Sequence, residues 1–405
     1  MGKRILLVDD DRDLRALMTR ILGKAGYEVH DLASAENLDA TIQEFLPDLV
    51  VCDVMMPGRN GLSVCKALHA DPRTRSIQVI LASSRSFESD KKAALDAGAA
   101  AYLVKPFKPA DLVRVASEAL NTNIEIRAWG CRGSITAPEW ASGRYGANTT
   151  CLDVFLPGHG HLVFDAGSGI RTLGNKLVGQ SPLRIAILLT HYHWDHIQGL
   201  PFFKPLYVPG NDFTIYGPAD SNDELVDLIR GQMGGAFFPV SVEAFRAAIR
   251  WIALREQKLE VMGAQVSTLY AFHPSTTLAY RVDFGDRSIV FAPDNELLPE
   301  FVEPKLGDQA LRFAEFAKGA TLLLHDCQYS TSGYETHRGW GHSGSKYVAA
   351  VAAHAGVKRV LLFHHDPDHS DEQIDTVHEE FRTALKDYDV KVESAAAQEG
   401  VTYTL

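Results

Sequence analysis

Between Leu188 and Gly199 the chain reads LLTHYHWDHIQG. An apolar, strand-like run stops, and His191, His193, Asp195 and His196 follow within six positions. Four such groups on a buried strand end would be costly without a cation to bind them. Neutral imidazole and carboxylate suit a divalent transition metal such as Zn²⁺. One tight turn cannot wrap a single ion with all four, because alternate side chains point to different sides. His191 with His193 can serve one ion, and Asp195 with His196 a second. Each half-site then needs further ligands from distant strands, with His273, Asp294 and His364 as candidates. Asp294 can bridge, since a carboxylate has two oxygens. Two ions so placed would activate water and polarise the scissile group.

About a hundred residues of different texture come first. RILLV, YEVHDLA, PDLVVCDV, QVILAS and AAYLVKPF read as strands. DLRALMTRILGKAG, ENLDATIQEFL, GLSVCKALHA, SDKKAALDAG and PADLVRVASEALN read as helices. Five strands alternating with five helices predict an α/β fold with a doubly wound, five-stranded parallel sheet, whose ligands bind at the carboxyl ends of the strands. Asp9 and Asp10 close the first strand, Asp53 the third, Ser83 the fourth and Lys105 the fifth. Converging carboxylates make a hard-cation site suited to Mg²⁺. A lysine and a hydroxyl beside an aspartate can hold the oxygens of a phosphoryl group on it.

Residues 3–121 resemble the receiver domain of bacterial two-component response regulators, on the segments VDDD, CDVMMPGRNG, ILASS and VKPF. The resemblance implies that a cognate histidine kinase phosphorylates Asp53. It implies that Asp10, Asp53 and the carbonyl of Met55 hold Mg²⁺ with help from Asp9. Ser83 and Tyr102 would form the switch pair, and Lys105 would contact the phosphoryl group.

The expected boundary separates residues 1–122 from 123–405, with no Gly/Ser/Pro linker between them. In the second part WGCRGS, YGANTTCLDVFL, HLVFDAGSGI and RIAILLTHYHWDH read as strands and turns. NDELVDLIRGQM, SVEAFRAAIRWI, DQALRFAEFAKG and GSKYVAAVAAHAG read as helices. The strands VSTLYAF, TLAYRVDF, SIVFAPD, TLLLHD and VLLFHHD each end near a His or Asp. This pattern predicts paired sheets with a site along one edge.

This part resembles the metallo-β-lactamase superfamily, closest to its phosphodiesterase branch of tRNase Z-like and cyclic-phosphodiesterase enzymes. DAGSG, THYHWDHIQG, LLLHDCQY, WGHSGSKYVAAVAAHAG and VKRVLLFHHDP carry the match. The resemblance implies an αββα sandwich with two Zn²⁺. One would be held by His191, His193, His273 and Asp294. The other would be held by Asp195, His196, Asp294 and His364. Asp165 would orient a ligand histidine. His342, backed by Asp326 where the family usually has Glu, would protonate the leaving alkoxide. Redox members carry Glu where His193 stands, and true β-lactamases usually carry Cys where Asp294 stands. Both differences favour a hydrolase that does not act on antibiotics. His159, His161, His354 and His378 read as ordinary histidines. His337, His365, Asp366 and His369 read as rim or structural groups.

Charge narrows the substrate. The net charge is -11, and the acidic excess falls after residue 122, with all but two of the 16 histidines. Polyanion binding needs a basic surface. The short stretch from His273 to Asp294 leaves no room for the basic arm of one type of tRNA-processing relative. A small cyclic nucleotide or dinucleotide is therefore expected over tRNA, with Arg132 and Asn148 touching its phosphate. The other readings are a lactone- or thioester-type carboxyl hydrolase, and a non-catalytic metal-bound platform acting through contacts in a homodimer. Five cysteines without a CxxC pair suit a reducing cytoplasm. No signal peptide and no membrane span are expected.

Overall fold

Short apolar runs separated by amphipathic segments must alternate between sheet and covering helix, and the chain does so from its first strand. The structure, a computed structural model, describes residues 3–56, 58–71, 73–75, 77–120, 123–141, 143–180, 182–298 and 306–405. It forms two compact units, Met1–Ile124 with Leu156–Gly160 and Glu125–Phe155 with His161–Leu405. The expected boundary falls between Thr122, which lies outside the described residues, and Asn123.

The first unit is β1 (Arg4–Val8), α1 (Arg12–Lys24), β2 (Glu28–Leu32), α2 (Leu38–Phe45), β3 (Leu49–Asp53), α3 (Gly61–Ala70), β4 (Gln78–Ser83), α4 (Glu88–Asp96), β5 (Ala101–Val104) and α5 (Pro109–Leu120). The sheet order is β2-β1-β3-β4-β5, parallel throughout. Side chains on a strand alternate between faces, and both faces here are covered. Leu6, Val8, Val50, Cys52, Val79 and Leu81 pack with Leu38, Ile42, Val64 and Ala94. Ile5, Leu7, Leu49, Val51 and Ile80 pack with Met18, Leu22, Leu112 and Ala116. This is why β1, β3 and β4 read as unbroken apolar runs.

The second unit's strands are β6 (Glu125–Gly130), β7 (Cys151–Leu156), β8 (Gly160–Phe164), β9 (Arg184–Leu188), β10 (Asp212–Pro218), β11 (Ala248–Leu254), β12 (Lys258–Val261), β13 (Ala264–Tyr270), β14 (Leu278–Phe284), β15 (Arg287–Ala292), β16 (Leu322–Asp326), β17 (Arg359–Phe363), β18 (Glu393–Ala396) and β19 (Thr402–Thr404). They make two mixed seven-stranded sheets, β11-β10-β9-β8-β7-β6-β19 and β12-β13-β14-β15-β16-β17-β18. Its helices are α6 (Gly169–Leu177), α7 (Trp194–Ile197), α8 (Asn222–Gln232), α9 (Asp308–Ala317), α10 (Thr331–Tyr334), α11 (Ser345–Ala355) and α12 (Asp371–Leu385).

The sheets face each other through aromatic rings. Phe164 of β8 meets Phe291 of β15 at 5.2 Å between centroids and Tyr280 of β14 at 5.7 Å. On β15, Phe291 points inward, and its neighbours Val290 and Ala292 point outward against Phe313, Val348, Ala352 and Phe381 of α9, α11 and α12. On the other sheet, Ile185, Ile187, Phe213 and Ile215 pack against Ile170, Leu173 and Ile229 of α6 and α8. The result is an αββα sandwich.

One expected helix is a strand. SVEAFRAAIRWI forms only a single 3-10 turn at Val242–Ala244, and Ala248–Leu254 then pairs in parallel with β10 as the sheet edge. The apolar residues suit a helix period, but pairing with a waiting strand overrides that preference. Among the described residues no helix is long and apolar enough to cross a membrane.

Candidate functional site

Strands β8, β9, β15, β16 and β17 end together. Asp165 follows β8 in the left-handed region, φ 58°. Its fully buried carboxylate accepts from the Thr190 amide at 2.7 Å and from His196 Nδ1 at 2.8 Å. This fixes the His196 ring with Nε2 facing the site. The chain leaves β9 and turns through the four-residue α7, which parts the cluster. His193 Nδ1 lies 3.2 Å from His273 Nε2. Asp195 Oδ2 lies 3.2 Å from both His196 Nε2 and His364 Nε2. Asp294 stands between the two groups. Its Oδ2 is 3.0 Å from His196 Nε2, and its Oδ1 is 3.5 Å from His364 Nε2 and 3.8 Å from His273 Nε2.

These donors fit divalent cations. Three interlocked triplets, His191–His193–His273, His191–His196–Asp294 and Asp195–His196–His364, each bring their ligand atoms within 4.8 Å of one another. His191 Nε2 is buried with no hydrogen-bond partner, which costs free energy unless something else binds it. Burial pushes the His191 ring well below the usual histidine range, leaving a bare lone pair. Burial would do the same to His196, but Asp195, Asp294 and Asp165 outweigh it and hold that ring well above its usual value. His196 Nε2 and His364 Nε2 meet at 3.3 Å.

Beside this cluster His342 Nδ1 donates to Asp326 Oδ2 at 2.9 Å. Burial lowers the His342 pKa, but Asp326 prevails and raises it to about 9. The ring stacks on His364 at 4.8 Å. Asp326 Oδ1 also accepts from the Gln328 amide at 3.0 Å.

In the first unit Asp9, Asp10 and Asp53 converge at the carboxyl ends of β1 and β3. Lys105 Nζ bridges Asp9 Oδ2 at 2.7 Å and Asp53 Oδ2 at 2.8 Å. Burial raises the pKa of Asp9 despite the lysine. The Met55 amide donates to Asp53 Oδ1 at 3.0 Å. Ser83 is buried, and its Oγ accepts from the Arg85 amide at 3.2 Å. Tyr102 donates its hydroxyl to the Arg85 carbonyl at 2.9 Å.

Residues 161–365, just over half of the chain, match the family model described as a beta-lactamase superfamily domain. The chain belongs to the beta-lactamase superfamily. Residues 5–117 match the response regulator receiver domain, so a receiver domain is joined to the superfamily domain. Over 113 residues the chain is 35% identical to the DNA-binding response regulator MtrA of Mycolicibacterium paratuberculosis, covering 28% of this chain and 49% of that one. The chain thus spans about half the length of the curated relatives it matches. The metallo-beta-lactamase fold protein YhfI from Bacillus subtilis is 22% identical, covers 70% of this chain and 100% of its own, and superposes with a TM-score of 0.51. Human tRNase Z, short form, is 19% identical over 69% of this chain and 98% of its own, with a TM-score of 0.47.

The structure places two residues expected to touch a phosphate, Arg132 and Asn148, in loop networks. Arg132 is fully buried, and its guanidinium donates to the carbonyls of Gly146 at 3.0 Å, Asp366 at 2.8 Å and His369 at 2.6 Å. It ties three loops together through Nε and Nη1, while its Nη2 is buried without a hydrogen-bond partner. Asn148 is spent in a loop network, donating to Glu399 Oε1 at 2.6 Å and accepting from Ser168 Oγ at 2.9 Å. Several contacts were not foreseen. The Ser134 amide donates to Asp195 Oδ2 at 2.7 Å, Gln328 Oε1 lies 3.2 Å from His364 Nδ1, and Gly133 leaves space for the His364 ring, which a Cβ would approach to 2.2 Å. A glycine beside an arginine in WGCRGS was the one visible signal of that close approach.

Proposed function

We propose that this chain is a cytoplasmic response regulator whose output is a phosphodiesterase with two zinc ions, acting on a small cyclic nucleotide or dinucleotide. Residues 1–122 are its receiver and 123–405 its hydrolase. The observation that carries the reading is the pairing of two ligand groups about Asp294 with a buried His342–Asp326 dyad beside them. Metal ligands alone would serve a lactonase equally well. An added proton donor suits an ester whose leaving alkoxide needs protonation.

His191, His193 and His273 would hold one zinc and Asp195, His196 and His364 the other, with Asp294 shared. The zinc ions would supply Lewis acidity toward water and the phosphoryl oxygens. The chain's own residues do the rest. Asp165 orients His196, and the Ser134 amide orients Asp195. As water's oxygen forms the new bond to phosphorus and releases one of its protons to solvent, the ester P–O bond breaks and the leaving oxygen takes the Nε2 proton of His342, which solvent then restores. Asp326 keeps Nδ1–H in place and stabilises the charged ring before transfer. The stretch between His273 and Asp294 is the β14–β15 hairpin, which favours a compact substrate. In the receiver, a histidine kinase would phosphorylate Asp53 with Mg²⁺ on Asp9, Asp10, Asp53 and the Met55 carbonyl. Lys105 would hold the phosphoryl group, and Ser83 and Tyr102 would respond to it.

The test is turnover by the zinc-loaded full chain against cyclic mononucleotides, linear and cyclic dinucleotides, a lactone and a thioester, with and without a phosphodonor. Cleavage of a phosphodiester is expected. Opening of the lactone or thioester with no phosphodiester cleavage would sink the proposal.

A further inference from the structure

Glu296 lies two positions after Asp294 and is 1% exposed. None of the roles assigned above uses it. We infer that Glu296 is a positioning residue that sets two working groups at once, the His273 ring and His342. The inference rests on the metal-centre reading of these residues.

Three donors converge on the carboxylate. Oε1 accepts from the Gly339 amide at 2.7 Å and from the Tyr334 hydroxyl at 2.6 Å, and Oε2 accepts from the Gly341 amide at 2.8 Å. Gly339 and Gly341 both lie in the left-handed region, at φ 85° and 90°. That conformation is cheap only for glycine, and it turns both amides toward the same acid. The Gly341 carbonyl then faces His273 and accepts from its Nδ1 at 3.1 Å. A Cβ on Gly341 would come within 2.2 Å of that nitrogen. The peptide is therefore pressed against the ring. With Nδ1–H donated, the lone pair lies on Nε2, the atom facing His193 and Asp294.

The next residue along the chain is His342. On its far side, Ser343 Oγ donates to the Asn295 carbonyl at 2.6 Å and accepts from the Leu297 amide at 2.9 Å. The Glu296 amide donates to the Phe272 carbonyl at 2.8 Å, one residue before His273. The segment after β15 thus grips both the exit of β13 and the turn before α11, and the Glu296 carboxylate is the part of that grip that reaches the Gly341 peptide. Hydrogen bonds of this kind fix the tautomer and raise the basicity of a ligand imidazole. A carboxylate satisfies two converging amides, whereas a glutamine of the same shape offers one acceptor and turns N–H against N–H.

The experiment compares full-chain wild type with Glu296→Gln. It measures melting of the zinc-free protein, zinc affinity by competition with a chromophoric chelator, and histidine-ring ¹⁵N NMR of the zinc-free state, with His273 assigned from His273→Ala. The expected result is a weakening of zinc binding by about 10- to 100-fold, with loss of the Nδ1–H form of His273. Wild-type zinc affinity with an unchanged His273 tautomer overturns the inference, even if melting falls, because Glu296 is then a structural clamp alone. Should wild type bind no zinc, the metal reading fails, and the zinc-free tautomer still decides the part played by Glu296. If the variant does not fold, the wild type decides: a protected Gly341 amide together with an Nδ1–H His273 ring in the zinc-free state supports the inference, and an Nε2–H ring or exchange as fast as in an exposed loop overturns it.

Discussion

His342 and Asp326 are joined by a 2.9 Å hydrogen bond, with side chains only 11% and 0% exposed. On the proposed reading, the imidazole that this buried carboxylate holds is the proton donor. Replacing His342 with Ala should slow cleavage of alkyl-leaving-group phosphodiesters by about 10²- to 10⁴-fold. The loss should be much smaller on bis(p-nitrophenyl) phosphate, whose phenolate leaves without a proton. Zinc content should not change. Equal losses on both substrates would show that His342 acts in some way other than as an acid.

Asp294 stands between both ligand groups, so it should matter to both ions. His273→Ala and His364→Ala should each cost about one zinc per chain by elemental analysis, and Asp294→Ala should weaken both sites. On the proposed reading zinc binds the folded state, so adding it at about 100 times its dissociation constant should stabilise the superfamily domain by about 2.7 kcal/mol per site. Hydrogen exchange of β9 and β15 with and without chelator reads this locally. Exchange that ignores the chelator would remove the metal from the fold.

In the receiver, Lys105 Nζ lies 2.8 Å from Asp53 Oδ2. Asp53→Asn should abolish incorporation of label from a small-molecule phosphodonor in Mg²⁺. It should also hold hydrolase turnover at its unphosphorylated value, whichever direction phosphorylation drives it. Lys105→Ala should still take label at Asp53 but lose the change in turnover. Labelling that persists in Asp53→Asn would place the phosphoacceptor elsewhere.

What the sequence made legible was local. Asp9, Asp53, Ser83 and Lys105 sit at the ends of apolar runs, so a strand–helix alternation was enough to bring them to one edge. The His191–His196 turn was dense enough to demand distant partners, and His273, Asp294 and His364 were found by the same strand-end rule. Contacts that depend on distant chain segments stayed hidden. Arg132 looks like a loop arginine in WGCRGS, but the carbonyls of Asp366 and His369 to which it donates lie more than 230 residues away. Glu296 gives no local signal, because the glycines it grips lie over forty positions on. β11 carries a helix-like apolar period, and its edge pairing is a tertiary event. The helix α12 has a start that is readable locally. Ser370 and Gln373 form a capping box, and Ile374, Val377, Phe381 and Leu385 follow as its buried stripe.

His161, read as an ordinary histidine, supplies a test away from the metal centre. Its Nδ1 lies 2.8 Å from Asp153 Oδ1, linking β8 to β7, with side chains 17% and 10% exposed. Burial alone would lower its pKa, but Asp153 outweighs burial, Glu125 adds to it, and the folded value is raised. A group with a raised folded pKa stabilises fully below its unfolded value, which is about 6.5 for histidine, and the contribution fades as pH rises through the folded value. Asp153→Asn removes the partner charge and keeps the shape. The melting gap between wild type and this variant should be widest below about pH 6.5 and should close as pH rises above it. Protonation of the metal ligands at low pH affects both proteins alike, so it cancels in the difference. A gap that is constant across this range, or that widens toward alkaline pH, would mean the pair is neutral in the fold and contributes only its hydrogen bond.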